Sequence, residues 1–174
     1  MRTVMMLGAA LLLLGGCAAT NQEKRTLAFS AFNEQTLGNA TVVESSTATE
    51  LEAYAQAGAR NDANGVWGGL PTVAAKSAQL TIDYEVATND ANDAAGYVSA
   101  ACGISTNNLP QPISASFLKF QNGAGPIART TATQALPDGL DLSKVSLTCF
   151  ALVGADASRG TVDVKVYSAS VVTQ

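Results

Sequence analysis

This chain predicts an antiparallel β-sandwich, mainly β, with one short helix and one disulfide. Three observations lead there. Apolar residues recur at every second position in several segments, so each extended stretch has one oily face and one polar face. Clusters of Gly, Pro, Asn and Asp separate those segments at the spacing of turns. Only one stretch carries helical spacing, and six to eight strands divided by turns bury their apolar faces most readily against one another.

In chain order, Leu27, Phe29 and Ala31 alternate with small residues from Thr26 to Phe32, which predicts a strand. The β-branched cluster Thr41, Val42 and Val43 predicts another over 40–45. A helix of about three turns is expected from Thr47, whose hydroxyl is placed to cap the backbone while Glu50 reaches back. Leu51, Tyr54, Ala55 and Gly58 then fall at helical spacing, and Gly58 suits the C-terminal cap. Asn61-Asp62-Ala63-Asn64-Gly65 and Gly68-Gly69-Leu70-Pro71 frame Val66 and Trp67 in an expected loop.

Strands dominate the remainder. Leu80, Ile82, Tyr84 and Val86 alternate with Thr81, Asp83, Glu85 and Ala87. Similar segments run over 97–102, 114–121 and 127–133, with Asn122-Gly123 read as the turn between the last two. Val145, Leu147 and Cys149 share one face of an apolar segment over 145–153. The final alternation sets Val162, Val164 and Val166 against Asp163, Lys165 and Tyr167.

The start of the chain is of another kind. Arg2 is followed by an apolar run from Val4 to Leu14 and then by Leu14-Gly15-Gly16-Cys17. This is a charged n-region, a hydrophobic region of leader length, too short for the ~20 residues of a spanning helix, and small residues before a cleavage point. It resembles the lipobox of bacterial lipoproteins. The resemblance implies cleavage before Cys17 and lipidation of that residue, with several acyl chains holding the protein stably where one would hold it marginally. Ala18 after the cysteine, in place of an aspartate, implies default sorting to the outer membrane by resemblance to Gram-negative lipoproteins. The expected organisation is a signal peptide over 1–16, a lipidated N-terminus and tether over 17–25, and a single sandwich domain over 26–174. The membrane is then a partner through the lipid, and a second envelope protein is the expected protein partner.

Only 14% of residues are charged, with a net charge of -4, and no basic run exists to neutralise phosphates. Nucleic-acid binding is not expected. An exported chain sits where disulfides persist. With Cys17 taken by lipid, Cys102 and Cys149 remain and should pair. Cys102 aligns with Val98 and Ala100, and Cys149 with Val145 and Leu147, so both thiols should point inward and staple two strands through the core. Trp67 precedes both cysteines, which does not fit the immunoglobulin arrangement.

The chain has no histidine, which removes the commonest general base, the serine and cysteine triads and histidine-held metals. No serine stands in a Gly-x-Ser-x-Gly elbow. Carboxylate chemistry survives this filter. Asp83 and Glu85 lie about 7 Å apart on one side of a strand, although a solvated strand face explains them better than a catalytic pair. Asp90, Asn92 and Asp93 are candidate ligands for weakly held calcium, as is the 61–65 cluster, but ordinary turn chemistry is the favoured reading. No metal or cofactor is expected.

Trp67 has two readings among its glycines: a ring presented to a sugar or partner protein, or a plug that closes the end of the sandwich, which is favoured. The leading functional reading is a non-enzymatic envelope lipoprotein serving as a structural, assembly or partner-binding module. The alternative is an outward-facing, adhesin-like domain that binds carbohydrate or another ligand through its loops. A histidine-free carbohydrate-active enzyme ranks third.

Mass spectrometry of the purified protein is expected to show acylation at Cys17. Cys17→Ala is expected to release the domain from the membrane fraction, and membrane retention of the unmodified variant would refute the anchor.

Overall fold

The structure, a computed structural model, describes residues 24–56, 58–73, 77–88, 98–106, 118–121, 126–157 and 160–174. Among these, eleven strands occur: β1 (Arg25–Ala28), β2 (Ala31–Leu37), β3 (Ala40–Glu44), β4 (Thr49–Tyr54), β5 (Asn61–Gly68), β6 (Ala78–Thr88), β7 (Val98–Thr106), β8 (Leu118–Gln121), β9 (Ile127–Leu136), β10 (Val145–Val153) and β11 (Thr161–Thr173). A single 3-10 turn, Leu142–Lys144, is capped by the Asp141 carboxylate.

The strands form two antiparallel sheets. One has the order β3-β4-β11-β6-β9, with β1 paired along the second half of β11; the other has the order β2-β5-β10-β7-β8. Their facing sides make one core. Leu51, Leu80, Ile82, Val86, Val164 and Val171 fill it from the six-stranded sheet, and Ile104, Leu147, Cys149 and Val153 from the five-stranded sheet. The predicted sandwich is therefore present, with more strands than the six to eight expected.

Alternation explains β6 directly: Leu80, Ile82, Tyr84 and Val86 are buried while their neighbours face out. β11 needs one addition. Its inward residues are Val162, Val164 and Val166, then Val171 and Thr173. A bulge makes the change of phase, since Val166 pairs with Tyr84 and Ser168 with Asp83, which leaves Tyr167 as the extra residue.

Four expectations are corrected. The helix from Thr47 is absent, and β4 occupies that stretch with Leu51 and Ala53 buried and Glu50, Glu52 and Tyr54 partly exposed. Within so few residues the apolar positions satisfy either period, and the backbone edges of β11 and β3, both of which β4 pairs with, decide for the strand. Ser45 supplies the local polar contacts instead: its hydroxyl accepts from the Thr47 and Ala48 amides and donates to the Ala48 carbonyl, turning β3 into β4. The strand expected over 26–32 divides at Phe29 and Ser30 into β1 and β2, which belong to different sheets. β8 and β9 likewise lie in different sheets and form no hairpin with each other; Asn122-Gly123 lies outside the described residues. The 61–65 loop is the first part of β5.

Cys102 and Cys149 are bonded, and both are buried. They are direct register partners on β7 and β10, with Cα atoms 4.0 Å apart. The bond thus joins neighbours within one sheet rather than spanning the core between sheets. Alternation fixes the face a side chain takes and is silent on which sheet owns the strand.

A closed loop with a sequence separation of 47 corresponds to roughly 4 kcal/mol of chain entropy. Replacing both cysteines by alanine is expected to lower stability by about 2 to 5 kcal/mol and the melting temperature by about 10 °C, read by calorimetry.

Candidate functional site

The core-facing row nearest the β1–β2 link carries the large aromatics. Phe32, Trp67, Leu147 and Ile104 are successive cross-strand partners on β2, β5, β10 and β7. Trp67 is half-buried and packs on the core, with its ring centroid 4.9 Å from that of Phe32. Gly65, one inward position along, makes room for both rings. A Cβ there would lie 2.9 Å from Phe32 Cε2 and 3.0 Å from Trp67 Cη2. Gly65 is therefore a packing glycine within a strand, not a loop hinge.

The rest of the 61–65 cluster disperses. Asn61 is fully buried; its Oδ1 accepts from the Asn39 amide at 2.6 Å and its Nδ2 donates to the Ala59 carbonyl, tying the β2–β3 and β4–β5 connections together. Asp62 turns to the opposite face and pairs with Arg60 at 2.7 Å. Strand alternation sets Asn61 on the opposite face from Asp62 and Asn64, and Asn61 and Asp62 are each taken by a partner, so the cluster's oxygens do not converge on a cation. Cys17, Asp90, Asn92 and Asp93 lie outside the described residues.

The outer face of the six-stranded sheet is charged. Asp83 is held by Arg129, with Nη2 at 2.7 Å and Nε at 3.2 Å from its carboxylate, and this bond keeps Asp83 below the usual carboxylate range. Arg129 stacks over Tyr167 at 3.7 Å from the ring centre. Tyr167 is hydrogen-bonded to Glu85, which raises the phenol. Asp83 and Glu85 are thus each engaged by a neighbour.

A second group on this face escaped the sequence reading. Glu52 on β4 is the direct partner of Asp163 on β11, and Glu50 is the partner of Lys165. The Lys165 ammonium lies 3.0 Å from Glu50 Oε1 and 3.4 Å from Asp163 Oδ2. These acids hold Lys165 well above its ordinary value. Burial, together with the hydrogen-bonding contact to Glu50, pushes Asp163 up to about 7. Glu52 accepts from the Tyr54 hydroxyl, which raises that phenol. An open cavity of about 220 Å³ adjoins the group, lined by Glu52, Ala87, Thr88, Thr161 and Asp163. The signal was the period-two placement of Glu50 and Glu52, hidden by assigning Glu50 to a helix cap.

On the outer face of the five-stranded sheet, β2, β5, β10 and β7 carry little charge, and β8 brings Lys119 to the register position beside Ala101. Gln35, Asn64, Phe150 and Ala101 form one cross-strand row over β2, β5, β10 and β7. Asn33, Val66, Thr148 and Gly103 form the row on one side of it, and Leu37, Asp62, Leu152 and Ser99 the row on the other. Phe150, Val66 and Leu152 are half-buried, and Leu37 is 55% exposed. Among the described side chains in these rows, the one charged group is Asp62, already paired with Arg60.

No protein-family model matches this chain, and no curated protein matches it in sequence. In outline it is similar to the K1 cleaved adhesin domain of Lys-gingipain from Porphyromonas gingivalis W83, at 12% identity, TM-score 0.46, and coverage of 87% of this chain and 99% of that one. It is also similar to the N-terminal cellulose-binding domain of Cellulomonas fimi β-1,4-glucanase C, at 14% identity, TM-score 0.41, and coverage of 81% and 88%. A third similarity is to TmCBM61, solved with β-1,4-galactotriose, at 7% identity, TM-score 0.40, and coverage of 84% and 91%. Each is a likeness of outline and not of residues.

Trp67→Ala is expected to cost about 3 kcal/mol, because it removes a large ring from the core-facing row. Gly65→Ala is expected to cost about 1 to 3 kcal/mol by forcing the two rings apart. Denaturant titration measures both, and in Gly65→Ala the tryptophan emission maximum should move to the red.

Proposed function

We propose that this chain is a non-catalytic binding module of a bacterial cell envelope, held at the membrane by lipid on Cys17, and that its ligand is a neutral carbohydrate chain. The ligand lies on the outer face of the five-stranded sheet, rather than on loops. One observation carries this reading: the uncharged row of Gln35, Asn64 and Phe150 on three adjacent strands.

Sugars offer an apolar C–H face and a rim of hydroxyls. A phenyl ring matches the first, and carboxamides, which donate and accept side by side, match the second. Neighbouring strands lie about 4.8 Å apart, so three of them set these groups along roughly 10 Å, about the length of two sugar rings. Three adjacent strands without free charge suit a neutral ligand and leave no buried ion to compensate.

Among the described residues, the acids on the opposite face have partners of their own. Asp83 is held by Arg129, Glu85 by Tyr167, Glu52 by Tyr54, and Asp163 by Glu50 and Lys165. Leu37 and Val43, 55% and 53% exposed, favour a protein partner as the second reading.

Affinity electrophoresis of the full chain against soluble neutral polysaccharides tests the proposal. At least one is expected to retard the protein. Phe150→Ala is expected to weaken that binding more than thirtyfold, equivalent to about 2 kcal/mol, while melting changes little. Retardation that survives Phe150→Ala, or none by any neutral polysaccharide, would overturn it.

A further inference from the structure

We propose that Glu50, Asp163 and Lys165 form a proton-dependent clasp that holds the β3–β4 hairpin on the six-stranded sheet, closed while Asp163 carries a proton and loosened when it gives that proton up. The geometry is an imbalance of charge at a seam. β4 meets the body of the sheet along β11, and the outward residues of that seam are Glu52 opposite Asp163 and Glu50 opposite Lys165. One ammonium serves two carboxyls, at 3.0 Å and 3.4 Å. The Asp163 side chain is only 13% exposed, and its Oδ1 is buried with no hydrogen-bond partner assigned to it. As an anion, that oxygen would be a buried charge lacking a donor; a proton on Asp163 removes that charge and the repulsion from Glu50.

The surrounding groups do not redress the balance. β4 presents Glu50, Glu52 and Tyr54, and β11 itself presents Lys165. β6 contributes Glu85 opposite Lys165, and the uncharged Ala87 and Thr88. β3 contributes the uncharged Thr41, hydrogen-bonded to Tyr54. Glu85 is shared with Tyr167 and Arg129, so at the β4–β11 seam itself one cation stands among three acids, Glu50, Glu52 and Asp163. The elevated Asp163, at about 7 against an ordinary 3.8, agrees with that arrangement.

The sign follows from which state holds the proton more tightly. The folded pKa is raised, so the linked stabilisation is full below about pH 4 and disappears as pH rises through 7. Between pH 6 and pH 8 the opening equilibrium of the hairpin should rise about tenfold. What opens is the seam that keeps the first half of β11 from becoming a free edge.

Hydrogen exchange on the purified full chain reads this directly, once rates are divided by the intrinsic exchange at each pH. Protection of the β3 and β4 amides is expected to fall about tenfold from pH 6 to pH 8 while that of β10 holds. Asp163→Asn should abolish the dependence. Glu50→Gln, which leaves Lys165 to Asp163 alone, should shift the loss of protection to lower pH. A wild-type hairpin indifferent to pH, or an unchanged dependence in either variant, would overturn the clasp; if Asp163→Asn does not fold, Glu50→Gln decides.

Discussion

The six-stranded sheet depends on one constraint at β11, which must present apolar side chains to the core along thirteen residues while pairing with three other strands. Strict alternation would carry the inward positions from Val166 to Ser168 and Ser170. The bulge at Tyr167 resets the phase, so that Val171 and Thr173 enter the core and the serines do not. The same extra residue delivers the Tyr167 ring outward, where Arg129 stacks on it and Asp83 pairs with that arginine. One inserted residue thereby serves both the burial of the sheet and the order of its charged surface.

The two outer faces of the sandwich differ in kind. On one, acids are held by Arg129, Lys165 or a tyrosine hydroxyl, with an excess of carboxyls where Glu52 stands opposite Asp163. On the other, Gln35, Asn64 and Phe150 make an uncharged, partly exposed row across β2, β5 and β10. Ion pairs at a surface add little to stability, and their partners are already chosen. An uncharged row gives up less hydration when something settles on it, which is the physical reason for placing the ligand there.

Much of this was legible in the chain, and the failures share a cause. The inward pairing of Cys102 with Cys149 followed from parity and alternation, and β6 and β10 were plain because large apolar residues mark their buried faces. β5 was obscure because Ala63 and Gly65 fill its buried positions, so small residues and turn-forming Asn and Asp read as a loop. β4 was obscure because six residues satisfy two periods at once. The uncharged row could not be assembled from sequence, since Gln35, Asn64 and Phe150 meet only through the strand order β2-β5-β10.

β1 has only four residues, yet its placement decides how the molecule would bear load. It pairs antiparallel with the last part of β11, Arg25 opposite Thr173 and Ala28 opposite Ser170. A tether that pulls on Lys24 away from the sandwich, as the proposed anchor would, draws β1 along its own axis. The paired residues then resist together in shear, whereas a strand pulled from the side unzips one bond at a time. A short strand in shear is a stronger fastening than a longer one that peels, which suits the anchored binding module proposed above.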